Sequence, residues 1–410
     1  MTEMKIALLH YSAPPVIGGV ESVIEQQARL FAGAGYDVRV VAGRGQVFDR
    51  RVPFVSIPLI DSRHSRVLDV KAELDQGKVP AAFDYLVKDI SQKLRSAVEG
   101  VDVLIAHNVA SLHKNLALTV ALKTLSAEKG FARLILWNHD LAWTSDRYKH
   151  EVHPGYPWDL LRTAWPGVQL VVTSRQRQEQ LAELMAIPLD QATIIPNGIA
   201  PAQFLKLGRI ALGLVEQLDL WAQSPILLLP VRLTKRKNIE LALRILAALR
   251  KSMPWATLVI TGPLGAHNPD NQAYFEQLKQ IRAAENLETS AHFLAELVDG
   301  YIPDETIADM YRLADALLIP SREEGFGLPM LEAGMEGLPI FCADIRPLRE
   351  LGGEQAHYFS PDADPQQVAD LIREVLVPSS TYNMRIRVRQ KYTWDKVFTE
   401  HIVPLLVEKK

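Results

Sequence analysis

Glu324 and Glu332 stand eight positions apart, on either side of the run Gly325-Phe326-Gly327-Leu328-Pro329. A carboxylate carries enough acceptor lone pairs to hold two neighbouring hydroxyls. The glycines would let backbone approach a ligand without a Cβ in the way, and Pro329 suits the first turn of a helix, where its missing N–H is no loss. The free amides of that turn, with a dipole equivalent to about half a charge, make an anion site. Hydroxyl-binding carboxylates beside a phosphate-ready helix end fit a ribose or hexose that bears a phosphate, and a nucleotide sugar has all these groups. Either glutamate alone reads equally well as an ordinary acidic residue near the start of a surface helix. The combination is what points to chemistry.

Stepping outward, Ala316 to Ile319 is a short apolar strand ended by Pro320, so the glycine run is the loop between that strand and a helix that reaches about Glu336, with Gly337 as its stop. A second strand-to-helix junction, Val231-Arg232-Leu-Thr-Lys-Arg-Lys237-Asn238, carries basic residues at a strand's carboxyl end, where ligands bind in parallel sheets. Gly262-Pro263 follows another strand at the same edge. In the first half, Trp137-Asn138-His139-Asp140 ends one apolar strand and His107-Asn108 ends the one before it. His107 and Asn108 read as acceptor-side residues or as a simple turn. His150, Glu151 and His153 are the wrong spacing for a His-Glu-x-x-His helix and sit among prolines, which gives a loop on the acceptor side or a structural one.

The whole chain repeats this alternation. Expected strands are Ile6 to His10, Asp37 to Ala42, Val52 to Ile57, Val101 to Ala106, Leu134 to Trp137, Leu170 to Thr173 and Thr193 to Ile195. After Pro196-Asn197-Gly198 the pattern restarts with Ile226 to Val231, Thr257 to Thr261, His292 to Ala295, Ala316 to Ile319, Ile340 to Ala343 and His357 to Phe359. Near-continuous apolar strands between amphipathic helices predict α/β architecture with parallel sheets covered on both faces.

Glu324-Gly-Phe-Gly-Leu-Pro-x-x-Glu332-Ala, with Gly337-x-Pro339 after it, resembles the E-x7-E signature of retaining glycosyltransferases of the GT-B fold, glycosyltransferase family 4 in particular. The resemblance extends over most of the chain: Gly18-Gly19 in the first loop, the Pro196-Asn197-Gly198 linker, the Arg232 segment, and Tyr392-Thr393-Trp394 near the end. It implies two doubly wound Rossmann-like domains facing across a cleft. Residues 1–198 would form an acceptor-side domain onto which about 388–410 cross back, and 199–387 a nucleotide-sugar-binding domain. It implies Arg232 and Lys237 on the diphosphate, Glu324 in catalysis, and His139 beside the transferred sugar, with Asp140 following it on the acceptor side. Gly18, Gly19, Gly262, Phe326, Gly327, Leu328 and Glu332 would bind the donor. No cofactor and no metal are expected, since fixed cations can stabilise a departing nucleoside diphosphate. The family's linker commonly has Asp where this chain has Ala200, so a polar contact there is in doubt. The expected activity is transfer of a hexose from a nucleotide diphosphate sugar to a hydroxyl on a carbohydrate, lipid-linked or small polyol acceptor. The alternatives are an epimerase or phosphorylase on the same fold, or a non-catalytic sugar-nucleotide binder.

At 410 residues and 48% apolar, with no apolar run of membrane-span length, the chain suits two soluble domains. A single cysteine, Cys342, excludes an intramolecular disulfide framework, and the start Met1-Thr2-Glu3-Met4-Lys5 lacks a signal-peptide pattern, so a cytoplasmic address is expected. A net charge of −3 argues against nucleic acid. The basic excess formed by Arg39, Arg44, Arg50, Arg51, Arg63, Arg66 and Lys71 reads as a solvated face in preference to a peripheral membrane contact. Asp362-Ala363-Asp364 superficially matches a metal-binding Asp-x-Asp, but Pro365 and Gln367 mark it as a helix start.

Overall fold

The computed structural model describes residues 4–128, 131, 133–263, 269–298 and 300–407. Residues 1–3, where the absence of a signal-peptide pattern is read, and the last three residues of the expected return lie outside these. The chain divides into two compact units, Met1–Gly198 with Trp394–Lys410, and Ile199–Thr393.

The first unit holds seven parallel strands: β1 (Lys5–Ser12), β2 (Asp37–Arg44), β3 (Phe54–Ser56), β4 (Val103–His107), β5 (Arg133–Asn138), β6 (Gln169–Val172) and β7 (Ala192–Ile194), in the order β3-β2-β1-β4-β5-β6-β7. The second holds six: β8 (Ile226–Leu229), β9 (Thr257–Ile260), β10 (Ala291–Phe293), β11 (Ala316–Ile319), β12 (Ile340–Ala343) and β13 (His357–Phe359), in the order β10-β9-β8-β11-β12-β13. Every pairing is parallel, as right-handed strand-helix-strand crossovers require. Both units are therefore Rossmann-like, doubly wound α/β domains. All thirteen expected strands form, with ends displaced by a few residues.

Burial on both faces explains the unbroken apolar runs. In β8, Leu227 and Leu229 join one apolar cluster while Ile226 and Leu228 join another on the opposite face. In each sheet the strand order reverses once, between β1 and β4 and between β8 and β11. Ligands of open parallel sheets bind beyond the strands' carboxyl ends at such a reversal. The residues following these four strands therefore lie where a ligand of such a sheet binds.

The closing segment belongs to the first unit from Trp394, slightly later than residue 388. Phe398 packs edge-on against Phe31 with ring centroids 5.3 Å apart, and the Leu406 carbonyl accepts from Arg133 at 3.2 Å. Gly198 is glycine because a Cβ there would lie 2.7 Å from the Trp394 ring. Ala200 caps the short helix Pro201–Phe204 and supplies no side-chain hydrogen bond, which is the polar contact that the departure from the family pattern removes.

Candidate functional site

In the second unit, the loops after β8 and β11 are tied to each other. Lys235–Lys237 form one 3₁₀ turn, and Asn238 ends it in the left-handed region with φ 53°. Its buried side chain donates to the carbonyls of Pro320, at 3.0 Å, and Pro361, at 2.9 Å. The amide of Arg322 donates to the Arg236 carbonyl at 2.9 Å. These bonds place Lys237 against Glu324: the ammonium donates to both carboxylate oxygens, at 2.7 and 2.6 Å, and Ser321 Oγ donates to Oε1 at 2.7 Å. Both charged side chains are about nine-tenths buried. Removing either partner would strand the other charge out of water. Arg232 differs. It is exposed and has no carboxylate partner among the described residues, so it is the cation left available to an incoming phosphate.

Gly262 holds this corner together. A Cβ there would lie 1.7 Å from the Val231 carbonyl oxygen, so the loop after β9 passes directly over the backbone that leads into Arg232. The helix after β11 is Leu328–Met335, with Gly327 as its N-terminal cap at φ 105° and Pro329 in its first turn; Gly337, at φ 67°, follows its end. Gly327 needs to be glycine on two counts, since a Cβ would also strike Leu348 at 2.7 Å. Gly325 has neither constraint and borders open space. Phe326 and Leu328 are more than half exposed beside this helix start. Glu332 is exposed on the helix and accepts from the Tyr311 hydroxyl at 2.5 Å. Burial, then the Glu332 charge, push the Tyr311 phenol far above its ordinary pKa, which keeps it a donor. Tyr311 orients the carboxylate, a role the sequence did not signal.

In the first unit, three histidines meet at the ends of β1, β4 and β5. His10 Nδ1 lies 2.8 Å from the His107 carbonyl, and His107 Nδ1 lies 3.1 Å from His139 Nε2. The His107 ring stacks between Trp137 and His139, with centroids at 5.5 and 5.4 Å. Burial holds His10 at about 4 and His139 at about 3, and His107 is lowered by burial and by its neighbours. All three rings are therefore neutral near pH 7.

His107 and Asn108 are both buried, which favours the simple turn over the acceptor-side alternative. Asn108 sits at φ 58°, and its Oδ1 accepts from the amides of His139, at 2.8 Å, and Asp140, at 3.2 Å. It is a latch that sets the His139 backbone. His139 and Asp140 are only partly buried, and Asp140 lies 3.4 Å from Arg177. Residues missed in the sequence complete the edge: Glu21, in the first turn of helix Gly19–Gly33, accepts from Ser12 Oγ at 2.5 Å and lies 4.0 Å from His10 Nε2. The Glu21 carboxylate occupies the space over Gly18, where a Cβ would fall 2.1 Å from it, while Gly19 borders open space. Only His10, a polar end to an apolar strand, could have signalled this cluster.

Elsewhere, Glu151 meets His113 at 2.6 Å and Lys71 at 3.0 Å, and Lys71 also pairs with Asp75 at 2.6 Å. An ammonium thus already fills the centre of this Asp75, His113 and Glu151 group, which suits a structural ion-pair network better than a metal. Asp364 caps helix Pro365–Leu376 through the amides of Gln366 and Gln367. In the basic stretch, Arg44, Arg51, Arg66 and Lys71 have carboxylate partners, which leaves little free charge for an anionic surface. Among the described residues no helix is long and apolar enough to cross a membrane.

Two family models match the chain: Glycosyltransferase Family 4 over residues 17–203 and Glycosyl transferases group 1 over residues 216–391. Mannosylglucosylglycerate synthase of Petrotoga mobilis is 24% identical, over 84% of this chain and 85% of that protein. Glycogen synthase of Mycobacterium tuberculosis is 23% identical, over 96% and 91%. Among solved structures, a glycosyltransferase from Rickettsia africae aligns over 98% of both chains at 14% identity with a TM-score of 0.40.

Proposed function

We propose that this chain, a glycosyltransferase of the two-domain GT-B type by the family models that between them match most of its length, transfers a hexose from a nucleotide diphosphate sugar to an acceptor hydroxyl with retention of configuration. The observation that carries the reading is the constellation at the β8/β11 reversal: the buried Lys237–Glu324 pair, the unpartnered Arg232, the helix start after Gly327, and Glu332 oriented by Tyr311. Glu332 suits two ribose hydroxyls. Arg232, the Lys237 ammonium and the first-turn amides suit a diphosphate, whose negative charge grows as the bond to the anomeric carbon breaks. That supply of fixed positive charge supports a reaction without a metal.

The weakness of His139 and the engagement of Asp140 as bases support the retaining reading. An inverting displacement needs a general base with a pKa near the working pH, facing the acceptor hydroxyl. His139, at about 3, is too weak for that task, and Asp140 is drawn to Arg177. The reading assigns His139 a hydrogen bond to the transferred sugar. The acceptor oxygen then bonds to the anomeric carbon on the face the phosphate leaves, and the departing phosphate oxygen takes the hydroxyl proton.

A thermal-shift screen of UDP, GDP and ADP sugars identifies the donor, because a ligand at 100 times its dissociation constant adds about 2.7 kcal/mol of stability. With that donor, nucleoside diphosphate release should rise when acceptor is added and should continue in EDTA. Release that ignores acceptors of every class, or that stops on chelation and returns with magnesium or manganese, would refute the reading.

A further inference from the structure

The second unit contains a separate cavity of about 270 Å³ whose walls include Pro201, Phe204, Leu205, Trp221, Arg385 and Arg389. Its place in the fold sets it apart from the donor residues. Asp315, immediately before β11, anchors the floor by accepting from the Ile226 amide at 2.8 Å, whereas Ser321 and Glu324 follow the other end of the same strand. Six residues of extended chain separate the two ends by about 20 Å.

The walls are almost wholly apolar, yet they contain two guanidinium groups. Arg389 is 5% exposed; its Nη2 donates to both Asp315 oxygens at 2.7 and 2.6 Å, while Nε and Nη1 are buried with no hydrogen-bond partner among the described residues. Arg385 donates to the Arg312 carbonyl and has Asp315 as its nearest carboxylate, 3.7 Å from Nε. Arg312 itself is paired with Asp309 at 2.6 Å, and Glu336, the other acid that acts on Arg385, is exposed and forms no ion pair with it. Two cations therefore share one carboxylate, with donor capacity left over. Arg389 is enclosed behind the wall and contributes its charge, while Arg385, about a third exposed at the cavity, keeps donors that a bound anion would complete.

We propose that this cavity binds an amphipathic monocarboxylate, with its head on Arg385, in the positive field of the enclosed Arg389, and its hydrocarbon against Phe204, Leu205 and Trp221. A single negative charge balances the excess cation. A dianion would have to lose more of its hydration against the same apolar walls. The site is distinct from the nucleotide-sugar site and does not depend on that reading.

Isothermal titration of the intact protein with octanoate tests the site, with octanol as the neutral control. Saturable octanoate binding with a dissociation constant below about 1 mM is expected, and octanol should bind at least about tenfold more weakly because it loses the charge-assisted hydrogen bonds. Phe204 is 71% exposed, so Phe204→Glu should fold normally while placing a like charge at the cavity wall and abolishing binding. Arg385→Gln should weaken octanoate but not octanol. No saturable binding, equal affinity for octanol, or octanoate affinity unchanged in folded Phe204→Glu would each overturn the proposal.

Discussion

At the scale of single residues, the clearest claim concerns Glu332. Replacing it by alanine removes a charged acceptor for two hydroxyls; a charge-assisted hydrogen bond contributes about 1.5–3 kcal/mol, so loss of even one should lower nucleotide affinity by roughly 10- to 150-fold or more. Tyr311→Phe leaves the carboxylate in place but unoriented and should cost less. Titration of the preferred nucleoside diphosphate checks both, and unchanged affinity in folded Glu332→Ala would remove the residue from the donor site. Glu324, Gly327 and Glu332 could be proposed from the sequence because they gather around one strand-to-helix turn, whereas the meeting of Lys237 with Glu324, from separate turns, appears only in the fold. For His107 and Asn108 the sequence left acceptor contact and a simple turn both open. A strand-end residue faces either ligand or loop depending on its neighbours in the sheet, and here the His139 ring and the turn at φ 58° bury them. Glu21 and Tyr311 carried no signal, since each acts through a side chain on another element, Ser12 and His10 on β1 for Glu21 and Glu332 for Tyr311.

At the scale of elements, the strands were legible because burial on both faces leaves four or more apolar residues in a row, as in β8, β11 and β12. Their order was not legible, because nothing in the sequence of β1 states that β4 and not β3 lies beside it. The two reversals follow from that order and select the ligand-binding loops. Gly262 shows how closely those loops are fitted. Gly262→Ala would force the β9 loop away from the Val231 carbonyl and shift Arg232, a clash with backbone that should cost at least the roughly 1–3 kcal/mol typical of overpacking. Urea unfolding should show the loss of stability together with weakened nucleotide binding. A variant as stable and as tight-binding as the parent would show that the two loops are free to separate.

At the scale of the whole molecule, the buried neutral histidines make a prediction about acid. The unfolded chain binds protons at its histidines as the pH falls below about 6.5, whereas His10 resists protonation to about 4 and His139 to about 3. Between these values the unfolded state holds more protons, so stability is complete above about 6.5 and is lost as the pH falls towards the folded values. Each such histidine contributes on the order of 2 kcal/mol of loss between pH 7 and pH 5. Urea unfolding at the two pH values measures this, above the range where carboxylates titrate, and equal stability would mean that the histidines charge freely in the folded protein. The central claim, hexose transfer with retention, is tested most directly by proton NMR of the first sugar product released from the preferred donor, with water serving as acceptor where no other is supplied. The account predicts that the product first appears with the donor's own anomeric configuration. First appearance of the opposite anomer, with activity abolished by Asp140→Asn but not by Glu324→Gln, would contradict it.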